Sequence, residues 1–402
     1  MREEILIHTS LKRGESNSYK MQEPFHRFSG RPLKRLEGHS TTHVTSLKRG
    51  ESETDGAGAI VSARLGNPRF HNALRRIPQP TPPIWLMRQA GRYHRHYQDL
   101  RREFSFMDLC KQPELAARVA LGPVLDFDFD AAILFSDLLF PLEALGMGLE
   151  YTDAGPQLGW KLTPESIWKM RSVDEAFEHL GFQGQAMRAT RRLLPDDKSL
   201  IGFVGGPWTL FVYAVEGTHK HVETAVKALS LFEEFCETMV PLLVRNIALQ
   251  LENGAEIVMI FDTAAGELNP EILKSTVVPQ LERLAGSFPA ALGYYSKATN
   301  SRHLGHPLFE NGSFAGIGLD HNWDLGDALA MFDAGFIQGN FNQKFLRDSS
   351  PSELKRQLEH FLDPLLKHDR TGWVCGLGHG VLPNTPEENV RLFVKTVREV
   401  LQ

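Results

Sequence analysis

Residues 257–263 read Ile257-Val258-Met259-Ile260-Phe261-Asp262-Thr263, an apolar run of β-branched and large side chains that stops on an aspartate and a threonine. It is too short for a buried helix and has no polar alternation, so it reads as a strand buried on both faces. On either side lie longer amphipathic stretches, 220–251 and 270–286, with helical spacing. The same alternation extends outward in both directions. Strand candidates are Ile84–Met87, Ala131–Phe135, Leu200–Val204, Ile257–Phe261, Ala290–Tyr295, Phe314–Leu319, Phe336–Gln338 and Trp373–Cys375. Further helical stretches occupy 113–125, 172–194, 351–367 and 386–400. Eight strands alternating with helices predict an α/β fold, a (β/α)₈ TIM barrel, with a doubly wound open sheet as the rival.

Polar residues collect just past the ends of these runs. Ser136-Asp137 follow the second candidate, Asp262-Thr263 the fourth, Ser296-Lys297 the fifth and Asp320 the sixth, and His379 stands soon after Cys375. In a barrel or an open parallel sheet the carboxyl ends of the strands line the site. Five such ends predict an enzyme or a small-molecule binder. Leu149–Tyr151 and Gln157–Trp160, separated by Gly155-Pro156, predict a hairpin in the loop after the second candidate. Gly205-Gly206-Pro207-Trp208 lacks the lysine and spacing of a P-loop and reads as a tight strand-to-helix turn.

The chain has 402 residues, 42% hydrophobic and 23% charged, which is ordinary globular composition. A net charge of -5 argues against a nucleic-acid partner, because no overall basic field meets a phosphate backbone. No apolar run approaches the roughly 18–20 residues of a membrane span, and the start lacks the apolar core of a secretory signal. Cys110, Cys236 and Cys375 are far apart and outside any CxxC pair, as expected of free thiols in a reducing, cytoplasmic setting.

Residues 1–66 differ from the rest. They are polar, without sustained periodicity, and Thr9–Ser16 recurs letter for letter at Thr45–Ser52. Two copies do not build a solenoid, and so little apolar surface predicts a disordered extension preceding a domain at 67–402. Organellar targeting is the alternative. Acidic residues from Glu3 to Asp55 count against it, and a mis-called start competes with both readings.

Arg88 and Arg92 stand four apart in PIWLMRQAGRY, residues 83–93, followed by His94, Arg95, His96, Arg101 and Arg102. Arginine offers a fork of donors matched to carboxylates, and the two share a face if the segment is helical. A solvated basic helix face is the plainer reading. The pairs His94/His96, His219/His221 and His303/His306 lack a third ligand at metal spacing and read as exposed polar residues.

Five segments carry a resemblance: PIWLMRQAGRY at 83–93, AAILFSDLLFPLEALGMG at 131–148, GFVGGPWTLFVYAVEG at 202–217, FDTAAG at 261–266 and GLGHGVLP at 376–383. Their order and wording resemble the uroporphyrinogen decarboxylase family. The resemblance implies a distorted (β/α)₈ barrel, usually homodimeric, that uses no metal or organic cofactor. It also implies removal of four acetate carboxyls from uroporphyrinogen III, a tetrapyrrole with eight carboxylates, to give coproporphyrinogen III.

Carried over by motif, Arg88 and Arg92 bind substrate carboxylates, with Arg88 also a candidate to assist proton delivery. Asp137 accepts hydrogen bonds from the pyrrole N–H groups and stabilises the charge of a protonated ring; its plainer reading is a helix N-cap. Tyr213 lies near a substrate carboxylate, against the reading of a packed aromatic. His379 stands at the cleft between glycines, while Gln89, Phe135 and Thr263 shape the wall. The sequence departs from the family at Thr263 (serine is usual), at His94-Arg95-His96 and at Asn342 (aspartate is usual). A zinc-dependent corrinoid or thiol methyltransferase on the same fold is the rival, although no His-x-Cys occurs here. A non-catalytic tetrapyrrole-binding homologue is the other.

Overall fold

The apolar runs pair in parallel, each with its successor. In the computed structural model, which describes residues 66–152, 155–218 and 221–402, there are nine strands. They are β1 (Ala131–Ile133), β2 (Glu150–Thr152), β3 (Gly155–Gln157), β4 (Ser199–Gly205) and β5 (Ile257–Asp262), then β6 (Leu292–Ser296), β7 (Gly316–Gly318), β8 (Phe336–Phe341) and β9 (Trp373–Leu377). One parallel sheet runs β1-β4-β5-β6-β7-β8-β9, and β2 pairs with β3 alone as an antiparallel hairpin. β4 and β5 are buried along their whole length, as expected of strands covered on both faces. The predicted extension with its repeat, Gly66 apart, and His219 lie outside the described residues.

The first predicted strand, Ile84–Met87, contracts to a single bridge between Ile84 and Cys375 of β9. Its chemistry explains why. Pro78, Pro80, Pro82 and Pro83 precede it, and proline has no N–H to give a ladder. What remains still closes the ring. Pro83 and Ile84 supply carbonyls to Cys375 N at 2.9 Å and Asp130 N at 3.0 Å, and Trp85 N donates to Cys375 O at 3.1 Å. The segment thus lies between β9 and β1 and completes a (β/α)₈-type barrel.

The helical stretches also hold, with breaks. The stretch 172–194 divides into Val173–Glu178 and Gly181–Leu193, the first helix fixed by a capping box from Ser172 and Glu175. Stretch 220–251 divides into Glu223–Lys227 and Leu229–Glu252. The hairpin forms, but its first strand lies one residue later than expected and its second begins two residues earlier, because Gly155 and Pro156 belong to β3 rather than to the turn. Among the described residues no helix is long and apolar enough to cross a membrane.

Candidate active site

Each strand delivers its last side chains to one end of the barrel, but those side chains do not all face a ligand. At the end of β5, Asp262 is fully buried and accepts from Thr209 N at 2.9 Å and Thr209 Oγ1 at 2.6 Å. It stands against Gly206, where a Cβ would come within 2.5 Å of it. This explains the Gly205–Trp208 turn: Gly206 makes room, Pro207 opens the helix Pro207–Glu216, and Asp262 anchors its first turn. At the end of β7, Asp320 accepts from Ala298 N at 2.6 Å and Asn322 N at 2.9 Å. Ser296 shares a hydrogen bond with Thr299 at 2.8 Å. These three hold loops together.

The end of β1 is different. Asp137 is part-exposed, and one of its oxygens accepts from Leu139 N at 2.9 Å in an Asx-type turn. Asp137 is therefore not the N-cap of the helix Phe140–Leu142, whose cap is Leu139 without a side-chain bond, and the turn engages only one carboxyl oxygen. Burial pushes the Asp137 carboxyl above the usual range, while the Tyr151 hydroxyl, the Leu139 N–H and the Arg88 charge draw it back. Tyr213, half-buried on the helix Pro207–Glu216, is pushed up to about 12 by burial and by the Asp137 charge, with Arg88 opposing. It therefore stays a hydroxyl donor at neutral pH.

Arg88 joins this cluster from an unexpected backbone. Residues 88–92 are turns rather than helix, and Arg88 takes a left-handed φ of 54°, which is uncommon outside glycine. Its side chain is exposed and lies along Gly380, where a Cβ would meet Arg88 Cδ at 2.4 Å. Val381 N donates to Met87 O at 2.9 Å, so the loop carrying His379 is tied to the loop carrying Arg88. Tyr295 holds the same loop from inside, its hydroxyl donating to Gly378 O at 2.9 Å.

The remaining predicted residues separate. Arg92 is exposed and near Tyr97, whose ring packs 5.7 Å from that of Phe135. Gln89 is buried, with its amide given to Ala131 O at 3.0 Å, so it ties the arginine loop to β1. Thr263 follows Asp262, half-buried. Tyr151 and Cys110, both coupled to Asp137, were not anticipated. For Tyr151 a signal existed, since it lies in the hairpin predicted to follow the aspartate's own strand.

Three expectations need correction. His94 is buried, not exposed, and bonds Asp126 at 2.7 Å; burial lowers its pKa, so it does not add the charge its sequence suggests. His303 is buried as well, bonded to Leu268 O at 3.0 Å. Arg88 and Arg92 do not share a helix face. Asn342 caps the helix Gln343–Asp348 by accepting from Lys344 N at 2.9 Å, a task an aspartate performs equally, so this departure has a structural basis.

Among the described residues, no group of three or more His, Cys, Asp or Glu is placed to hold a metal ion. A cavity of about 860 Å³ lies elsewhere, between the helices Leu325–Met331 and Pro351–Lys367, and Asp137, Arg88 and Tyr213 do not line it. Concavity alone would favour that cavity. Convergent charge and perturbed ionisation favour the Asp137 cluster.

Comparison with known proteins places the chain in a family. The profile of the family "Uroporphyrinogen decarboxylase (URO-D)" matches residues 65–400. Uroporphyrinogen decarboxylase of Myxococcus xanthus is 34% identical over 347 residues, covering 82% of this chain and 96% of that protein. The Aromatoleum aromaticum protein of the same name is 35% identical over 351 residues, covering 84% and 97%. A solved methyltransferase from Methanosarcina mazei superposes with a TM-score of 0.66 at 18% identity, covering 83% of this chain and 98% of that one, a likeness of fold alone. Matched along nearly all of its described length, this chain belongs to the uroporphyrinogen decarboxylase family.

Proposed function

We propose that this protein is a carboxy-lyase that converts uroporphyrinogen III to coproporphyrinogen III by removing its four acetate carboxyls, within heme and tetrapyrrole biosynthesis. The observation that carries this reading is the convergence of Asp137, Arg88 and Tyr213 at the carboxyl end of the barrel. The substrate is flexible, with carboxylates at its rim and pyrrole N–H groups at its centre, and needs cations outside and an acceptor within. Arg88 and Arg92 are the cations, and Asp137 is the acceptor.

In each round a proton adds to a pyrrole ring carbon. The cationic ring draws in the electron pair of the C–CO₂ bond, CO₂ leaves, and a second proton converts the exocyclic methylene to methyl while the ring carbon returns its own. One proton is consumed and one CO₂ released. Asp137 stabilises the positive ring, and a preformed charge in a partly dry site is effective because it needs no reorganisation. Arg88 holds the departing carboxylate's neighbours and assists proton delivery, Tyr213 donates to a carboxylate, and His379, Thr263, Phe135 and Gln89 shape the wall. The working unit is the domain at 67–402, as a cytoplasmic homodimer.

The test is incubation with uroporphyrinogen under anaerobic, reducing conditions, with carboxylate loss followed by chromatography. Stepwise appearance of products with fewer carboxylates is expected. No product from folded protein, or stoichiometric zinc in the purified protein, would defeat the reading.

A further inference from the structure

We infer that Tyr151 is a positioning residue for the decarboxylation: its hydroxyl, carried on the β2–β3 hairpin, orients and holds the second oxygen of Asp137 for the pyrrole N–H groups. This rests on the role given to Asp137 above. Among the described residues the hairpin shares no ladder with the barrel sheet and pairs with itself, Tyr151 standing opposite Pro156. It nevertheless points an aromatic residue at the site. The Tyr151 ring lies 4.5 Å from that of Phe106, and Phe106 lies 6.0 Å from Phe135, two residues before Asp137. That packing fixes where the hydroxyl ends.

The hydroxyl is buried, and among the described residues it has no partner at ordinary hydrogen-bond geometry. A buried, unmatched hydroxyl is costly and calls for an explanation. Its close polar neighbour is the Asp137 carboxyl, and each perturbs the ionisation of the other. Leu139 N already holds Oδ1, so a donor from the hairpin side completes the fixing of the carboxylate. The titratable and charged groups facing Asp137 are Tyr151 from the hairpin, Arg88 from the loop after the closing segment at Ile84, Tyr213 from the helix after β4 and Cys110 from the helix Phe106–Lys111. Burial holds Tyr213 and Cys110 protonated, and it holds Tyr151 protonated too. In this group Tyr151 is a donor that adds no charge, suited to steering a carboxylate without neutralising it.

The variant Tyr151→Phe keeps the ring and its packing and removes only the hydroxyl. Turnover of uroporphyrinogen should fall about tenfold, the worth of one hydrogen bond to a charged group. The acidic limb of the kcat/KM profile should move to higher pH, because loss of a donor to the ionised form favours the protonated carboxyl. An unmoved limb with turnover within about twofold of wild type would overturn the inference. A second readout needs no turnover: infrared or carbon NMR titration of the Asp137 carboxyl, assigned by difference against Asp137→Asn, in wild type and Tyr151→Phe. A rise in its titration midpoint supports the contact, and an identical midpoint overturns it. If the midpoint rises but Asp137→Asn remains active, the role given to Asp137 fails, and Tyr151 with it as a positioning residue. If Asp137→Asn is inactive and the midpoint does not move, Tyr151 alone is wrong.

Discussion

β1 is bracketed by two aspartates, and the protein treats them in opposite ways. Asp130, just before the strand, is 1% exposed and surrounded by donors: Ile84 N at 2.7 Å, Asn67 Nδ2 at 3.1 Å and Arg69 Nη1 at 3.3 Å, with Arg398 Nη2 at 3.5 Å. Those partners are the closing segment of the barrel and the first and last helices of the described domain. Asp137, four residues past the strand, has fewer partners among the described residues: one N–H, a nearby tyrosine hydroxyl and one arginine. A carboxylate with all its partners inside the protein fixes structure. One with partners missing in a partly buried site is arranged for a ligand.

The strongest way to break this contrast is to exchange each carboxylate in turn. Asp137→Asn should lower turnover about a thousandfold, the scale of losing a preorganised charge at a reacting centre. Its melting temperature should be unchanged or higher, because an ionised carboxylate held above its usual range costs the fold stability at neutral pH. Turnover within about tenfold of wild type, or a collapse in melting temperature, would erase the distinction. Asp130→Ala should do the reverse. It strands the Ile84 N–H and two arginines at the barrel seam, at a cost of about 4 kcal/mol in urea unfolding. The fraction that folds should turn over within about twofold of wild type.

How much of this was legible in the chain follows from where each signal resides. Runs such as Ile257–Phe261 announce themselves because a strand buried on both faces needs nothing but apolar residues. The closing segment was legible as apolar but not as a single bridge, since its prolines remove donors without changing hydropathy. Asp137, Arg88, Tyr213 and His379 were singled out by motif, and in the structure the charges of Asp137 and Arg88 act on Tyr213 and on each other. Position at a strand end was a poor guide on its own: Asp262 and Asp320 occupy such ends and serve loops. Tyr151 was missed because only three-dimensional packing through Phe106 tells that its hydroxyl turns inward. His94 was misread because nothing local distinguishes a buried, paired histidine from an exposed one in a basic run.

Asp262 sharpens the contrast, since it lies at the carboxyl end of a strand, the side on which Asp137 follows β1, yet is enclosed as Asp130 is. Burial pushes its carboxyl up to about 6 from 3.8, against the Thr209 donors and Tyr294. The folded state therefore binds this proton more tightly than the unfolded state. Its contribution is full below about pH 4 and is lost as pH rises through 6. Melts across that window should show wild type losing ~2 kcal/mol from this group, and Asp262→Asn should flatten that part of the curve. An unchanged slope would assign the pH dependence to other groups and leave Asp262 as inert packing.

The smallest expected effect separates two glycines of the same loop. A Cβ on Gly378 would come within 2.2 Å of the His321 backbone nitrogen, whereas the nearest atoms to one on Gly380 belong to the Arg88 side chain. Backbone cannot yield cheaply, but a side chain can swing, so Gly378→Ala should destabilise the fold while Gly380→Ala should leave it folded with Arg88 displaced. For Gly380→Ala, kcat/KM should fall about tenfold with an unchanged melting temperature, the cost of misplacing the group proposed to bind a substrate carboxylate. Since Arg88 holds a strained backbone and leans on this glycine, its position belongs to both loops. Full activity in Gly380→Ala would mean that Arg88 reaches the substrate by its own flexibility, and the open half of the site would then depend on Asp137 alone for its geometry.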